Sequence, residues 1–203
     1  MAVLQALLLI AYPLLVYVAL GFAPPRAIAL CTLALLAARA ALGSRARLAA
    51  LLRVFAPVGA AFAAASLVSL FSNDPLWLLL APALLNAALL AVFASSLWRR
   101  QSAIEILARA QVGTLSEGEV TYCRRVTLVW CVFFAANGAL CAALALAGSR
   151  EAWALYTGLA AYLLMGLLFA CEYVYRHWRF RRYVGGPVDP VLRRLFPPDA
   201  RGR

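Results

Sequence analysis

The chain has 203 residues, of which 66% are hydrophobic and 13% charged, with a mean hydropathy of +0.86 and a formal net charge of +11. A water-soluble domain of this length needs far more polar surface, so the composition excludes one and points to a chain whose solvent is a bilayer. Every basic residue is an arginine, and the arginines gather at the ends of apolar segments, where they set topology and meet anionic headgroups; membrane lipids, not nucleic acid, are the expected partners.

A bilayer core takes roughly 20 apolar residues per helix. Runs that long or nearly so occur at residues 3–22, 27–43, 51–71, 76–97, 126–147 and 152–174, which predicts an all-α polytopic membrane protein of about six spans. The first run lacks a basic leader and is longer than the apolar part of a usual signal peptide, so it reads as a span. Arg39 shortens the second. Turn residues separate them: Ala23-Pro24-Pro25-Arg26, Gly43-Ser44-Arg45, Ser72-Asn73-Asp74-Pro75 and Gly148-Ser149-Arg150-Glu151. Residues 1–178 then form one transmembrane domain with a polar loop at 98–125, and residues 179–203 form a basic juxtamembrane tail.

Orientation follows from the arginines. With the N-terminus inside, Arg39, Arg45, Arg47, Arg53, Arg99, Arg100, Arg109, Arg124, Arg125, Arg176, Arg179, Arg181, Arg182, Arg193, Arg194, Arg201 and Arg203 fall on the inner side, against Arg26 and Arg150 outside. That asymmetry predicts both termini in the cytoplasm and an even number of spans.

The loop at 98–125 carries two Ser-x-x-Glu signatures, Ser102 to Glu105 and Ser116 to Glu119, in which hydroxyl and carboxylate satisfy the first free amides of a helix. The first predicts a short helix over Ala103–Ala110 with Ile104, Leu107 and Ala108 on one side, either interfacial or solvated. The second starts the fifth span a turn or more before lipid.

Polar residues inside spans are costly and often functional. Tyr12, Asn86, Asn137 and Tyr162 share a depth near the midpoints of their spans, which fits either a pocket for the head of an amphiphile or interhelical hydrogen bonds that hold the bundle. A second group sits where spans five and six meet the inner boundary. Glu172 is the acid embedded in an apolar span, Arg176 lies four residues on, and the hairpin brings Tyr122, Arg124, Arg125, Tyr173 and His177 to the same level. Those residues fit a structural ion pair with an aromatic belt, or an anion site with arginines as forked donors.

The five cysteines form no CxxC pair and read as small buried hydrophobes, with no disulfide framework and no metal site. His177, the sole histidine, reads as an interfacial aromatic. Catalytic and nucleotide-binding signatures, and with them any cofactor expectation, are missing from the sequence. The tail runs from the alternating Trp178-Arg179-Phe180-Arg181-Arg182-Tyr183 through a Gly-Pro turn to a short amphipathic piece closed by proline, as expected of a segment on anionic headgroups or of a docking peptide.

Tyr122-Cys123-Arg124-Arg125-Val126-Thr127-Leu128-Val129-Trp130, then Phe133-Phe134, Asn137-Gly138, Trp153-Ala154-Leu155-Tyr156, Leu164-Met165-Gly166, Glu172-Tyr173 and the tail pattern from Gly185 to Pro198 resemble a family of bacterial inner-membrane proteins without an assigned activity. Its members lie beside ketosynthases, dehydratases, acyl carrier proteins and acyltransferases in clusters for aryl polyenes and related fatty-acid-like products. The resemblance covers roughly residues 95–198, and residues 1–94 match in hydropathy only. Some members bear the name ketosynthase, but this chain has no Cys-His-His set, and no catalytic role carries over. The resemblance implies an inner-membrane accessory protein that anchors, assembles or hands over an acyl or polyene lipid, with an acyl carrier protein or a cytosolic lipid-synthesis enzyme as partner. A small lipid flippase, or an embedded acyl or glycosyl transferase, are the alternatives.

Overall fold

A computed structural model describes residues 17–42, 60, 63–183 and 189–197. Among these the chain is helical, without strands. Residues 17–22 are helical, followed by α1 (Pro25–Leu42), α2 (Ala63–Ser72), α3 (Leu76–Leu97), α4 (Ala103–Val112), α5 (Glu117–Leu146), α6 (Arg150–Phe180) and α7 (Asp189–Leu195). Three of the described helices, α3, α5 and α6, are long and apolar enough to cross a membrane. Most of the expected first span, much of the third, and Tyr12, Arg45, Arg47, Arg53, Arg201 and Arg203 lie outside the described residues.

The separators do what their residues dictate. In the Ser72–Pro75 turn, Asn73 takes a positive φ of 53°, the Leu76 amide donates to the Asp74 carboxylate at 2.8 Å, and the buried Ser69 hydroxyl donates to the Asp74 carbonyl at 2.9 Å. Gly148, at φ 76°, turns the chain between α5 and α6, and the Ser149 hydroxyl caps α6 by accepting from the Ala152 amide. α5 opens on a complete capping box, Ser116 and Glu119 each bonding the other's amide. The helix therefore starts nine residues ahead of the apolar run at 126.

α4 begins at Ser102 as expected but runs to Val112, where Gly113 stops it at φ 75°. Its capping box is only half formed. The Ser102 hydroxyl accepts from the Glu105 amide, yet the Glu105 carboxylate turns to Arg109. The buried side also differs from the expected one: Ile104, Glu105 and Ala108 face the bundle, while Leu107 is 54% exposed.

α3 and α5 make the most extensive helix pair. At the end where α5 turns into α6, Ile28, Ala29, Leu78, Leu79, Ala145 and Trp153 form one core. At the arginine-rich end, Val126, Trp130 and Phe134 of α5 pack against Phe93 of α3, Ile104 of α4, and Met165 and Leu168 of α6. Ring contacts of Trp130 with Phe169 at 4.5 Å and of Phe93 with Phe134 at 5.2 Å fix this second cluster.

Two irregularities shape the middle of the bundle. Pro82 lies inside α3, where it has no N–H to give the Leu78 carbonyl four residues before it. In lipid such a break survives only if neighbours satisfy the exposed carbonyls. Beside it, the Trp153 indole N–H donates to the Leu79 carbonyl at 2.9 Å, an added donor at the turn that Pro82 weakens. One turn of π-helix, Tyr156–Ala160, interrupts α6 next to that tryptophan; Tyr156 reaches α5 from it, and the buried Thr157 hydroxyl donates to the Trp153 carbonyl at 2.7 Å.

Candidate functional site

Asn86 of α3 and Asn137 of α5 are both buried and bonded to each other: the Asn137 amide N–H donates to the Asn86 side-chain carbonyl at 3.0 Å. The Tyr156 hydroxyl donates to the Asn137 carbonyl at 2.7 Å, and the Asn86 amide N–H donates to the Pro82 backbone carbonyl at 2.8 Å. Four polar groups thus form a directed chain from the π-turn of α6 to the proline turn of α3. Each amide donates to a partner within the protein, so the geometry favours an interhelical clasp over a pocket open to an amphiphile. Gly138 permits the approach, since a Cβ there would stand 2.9 Å from the Asn86 Cβ. Tyr162 is half-buried on α6, and the partner that sequence depth did not single out is Tyr156.

At the arginine-rich end, one Glu172 oxygen lies 3.5 Å from the Arg176 Nε and accepts from the Tyr122 hydroxyl at 3.3 Å. The Tyr122 ring stacks on Tyr175 and meets Phe180 edge-on, and the Arg176 guanidinium lies over the Tyr173 ring at 5.7 Å. The other two arginines do not join Glu172. Arg124 instead donates at 2.7 Å to the Leu97 carbonyl, one of the acceptors left over at the C-terminal end of α3, and Arg125 is exposed. The Glu172–Arg176 contact is long and the Arg176 side chain is 33% exposed, so its contribution to stability is about 1 kcal/mol or less.

His177 is not an exposed interfacial ring. It is 3% exposed, packed between Tyr173 and Tyr183 at centroid distances of 4.2 and 5.4 Å, with Nδ1 2.8 Å from the Tyr173 carbonyl. A carbonyl only accepts, so Nδ1 carries the proton and this nitrogen is committed to the backbone.

Sequence reasoning missed a buried acid. The Glu105 side chain is 3% exposed, with one oxygen on Arg109 at 2.9 Å and the other buried with no donor among the described residues. Around it α3, α4 and α5 are tied by hydroxyls: the Ala103 amide donates to Ser96, the Ile104 amide to Thr127, and Thr127 donates to the Cys123 carbonyl. The Glu105–Arg109 spacing of four was the available signal. Cys123, Cys131 and Cys141 are buried, whereas Cys31 and Cys171 are exposed, which corrects the expectation that all five pack inside.

The tail folds back. Arg181 ends α6 in a left-handed conformation at φ 48°. Arg182 donates to the Thr114 carbonyl at 2.9 Å and pairs with Glu119 at 3.2 Å, which pins the end of α6 to the start of α5. The Tyr183 hydroxyl donates to the Leu192 carbonyl at 3.2 Å and to the Phe196 carbonyl, Arg193 lies over the Tyr183 ring at 5.1 Å, and Leu192 is the buried residue of α7.

No family model, curated protein or solved structure matches the chain.

Among the described residues no three His, Cys, Asp or Glu side chains are placed to hold a metal ion. The Glu172–Arg176–Tyr122 group can receive an anion through the exposed part of its guanidinium. The folded tail presents Arg179, Arg193 and Arg194 outward from the same end.

Proposed function

We propose that the chain is a six-pass protein of a bacterial inner membrane, with both termini in the cytoplasm, that acts as a non-enzymatic accessory to lipid assembly. It anchors or hands over an acyl or polyene product made by soluble carrier-protein enzymes, in keeping with its resemblance to the aryl-polyene-associated family. The observation that carries this reading is the tail. A basic segment that Arg182, Tyr183 and Leu192 hold in a fixed place is a platform, and its exposed arginines complement acidic carrier proteins and anionic headgroups. The flippase alternative is less well supported, because Asn86 and Asn137, the groups it would use, are bonded to each other.

Topology is checked with reporter fusions. Fusions at Asn73 and Ser149 are expected to report the periplasm, and fusions at Arg100 and Arg203 the cytoplasm; a periplasmic Arg203 overturns the six-pass arrangement.

Function is checked by mass spectrometry of lipid extracts from a deletion strain complemented with variants. Reversing charge at Arg179, Arg193 and Arg194 should reduce the final lipid several-fold, with its precursor accumulating and the protein remaining as abundant as the native chain. If Glu172→Gln alone removes the product at normal protein abundance, the transferase reading replaces this one. If Asn86→Ala does so, the flippase reading replaces it.

A further inference from the structure

The folded tail creates a groove that neither the hydropathy pattern nor the arginine pattern announces. Ala170, Cys171, Val174, Tyr175 and Trp178 of α6 form its floor and Phe196, just beyond α7, its wall, a shallow apolar depression of about 470 Å³ that is open along its length. Phe196 is held there by bonds from Tyr183 to its carbonyl and from Arg181 to the neighbouring Pro197 carbonyl at 3.3 Å.

Two features say what fills the groove. Its floor continues into the exposed apolar residues Leu163 and Leu167 on the same face of the candidate span, so the occupant can slide in from hydrocarbon without crossing water. Exposed arginines stand within three residues of a lining side chain: Arg179 beside Trp178, and Arg193 and Arg194 ahead of Phe196. An apolar, aromatic floor with cations on the neighbouring residues matches a lipid whose head is negatively charged.

We infer that this groove binds one anionic phospholipid, with an acyl chain along α6 against Phe196 and its phosphate among Arg179, Arg193 and Arg194. A chain already in the bilayer gains little hydrophobic free energy by entering an apolar groove, so the groove sets position and the arginines set selectivity. The inference deepens the platform reading but does not depend on product hand-over; an unchanged lipid extract in the tail variants would leave it standing.

The test uses the full-length protein in phosphatidylcholine vesicles with a small fraction of chain-brominated phosphatidylglycerol or chain-brominated phosphatidylcholine. The Trp178 signal is taken as the difference from Trp178→Phe, since tryptophans also occur at 77, 98, 130 and 153. Brominated phosphatidylglycerol should reach half-maximal quenching of Trp178 at on the order of tenfold lower mole fraction than brominated phosphatidylcholine. Replacing Arg179, Arg193 and Arg194 with glutamine should erase the difference. Filling the floor with Cys171→Phe, or removing the wall with Phe196→Ala, should weaken quenching by phosphatidylglycerol. Equal quenching by the two lipids overturns the inference. So does a preference that survives both groove variants, because it then reflects charge attraction at the surface without a bound chain.

Discussion

Gly138→Ala is expected to destabilise the protein by about 1–3 kcal/mol, while Gly166→Ala leaves it unchanged or slightly more stable. Both substitutions bring the same gain in helix propensity, so their difference isolates the space around the added methyl. At Gly166 nothing lies within 4 Å of that methyl. At Gly138 it meets the Asn86 Cβ at 2.9 Å, and Asn86 cannot retreat without giving up its bonds to Asn137 and to the Pro82 carbonyl. Separating α3 from α5 by even a few tenths of an ångström would stretch the clasp in a medium that supplies no replacement donor, and interhelical bonds of this type are worth about 0.6–2 kcal/mol. Thermal unfolding in detergent of the two variants beside the native chain checks this. Equal melting temperatures would show a looser crossing that accommodates the methyl.

The Asn137-Gly138 pair was visible in the sequence as a polar residue and a small one at span depth, but their joint meaning was not. Hydropathy fixes where a helix runs along the membrane normal and says nothing of how it is rotated about its axis. Asn86 and Asn137 were therefore legible as neighbours in depth. Tyr156 was not, because it reaches Asn137 only through the π-turn, and a π-turn has no hydropathy signature. The capping boxes show the same division. Ser116 with Glu119 behaved as its pattern requires because that end of α5 is exposed, and the Glu119 carboxylate can take Arg182 while it keeps the Ser116 amide. Ser102 with Glu105 did not, because α4 packs onto the bundle and draws the carboxylate inside to Arg109. Charges near Glu172 sorted by reach: Arg176, one turn along the same helix, was foreseeable, whereas Arg124 went to a free carbonyl at the end of α3 whose position depends on how α3 and α5 cross. The tail's helix was readable from its amphipathic pattern, but its return onto α6 was not, since this rests on Arg181 adopting a left-handed conformation.

Trp153→Ala is expected to cost about 3–5 kcal/mol, as for other fully buried large aromatics, and Trp153→Phe about 1–3 kcal/mol. The tryptophan is 1% exposed and sits where α6 meets α3, α1 and the end of α5, touching the core of Ile28, Ala29, Leu78, Leu79 and Ala145. Phenylalanine keeps much of that burial and removes only the donor to the Leu79 carbonyl. What separates a packing role from a hydrogen-bonding one is Pro82. If the indole N–H matters because the Pro82 ring crowds the turn before it and weakens the helical bond to the Leu79 carbonyl, then Pro82→Ala should strengthen that bond and make the loss of the indole donor less harmful. A double-mutant cycle of Trp153→Phe with Pro82→Ala, read from unfolding in detergent, is expected to show a coupling on the order of 1 kcal/mol, with the double variant more stable than additivity allows. Additive losses would mean that Trp153 contributes by burial alone. Coupling would identify the tryptophan and the proline as one unit, a weak turn in α3 supported by a donor on α6, and would explain why the first turn of α6 carries a tryptophan and not an aliphatic residue of similar hydropathy.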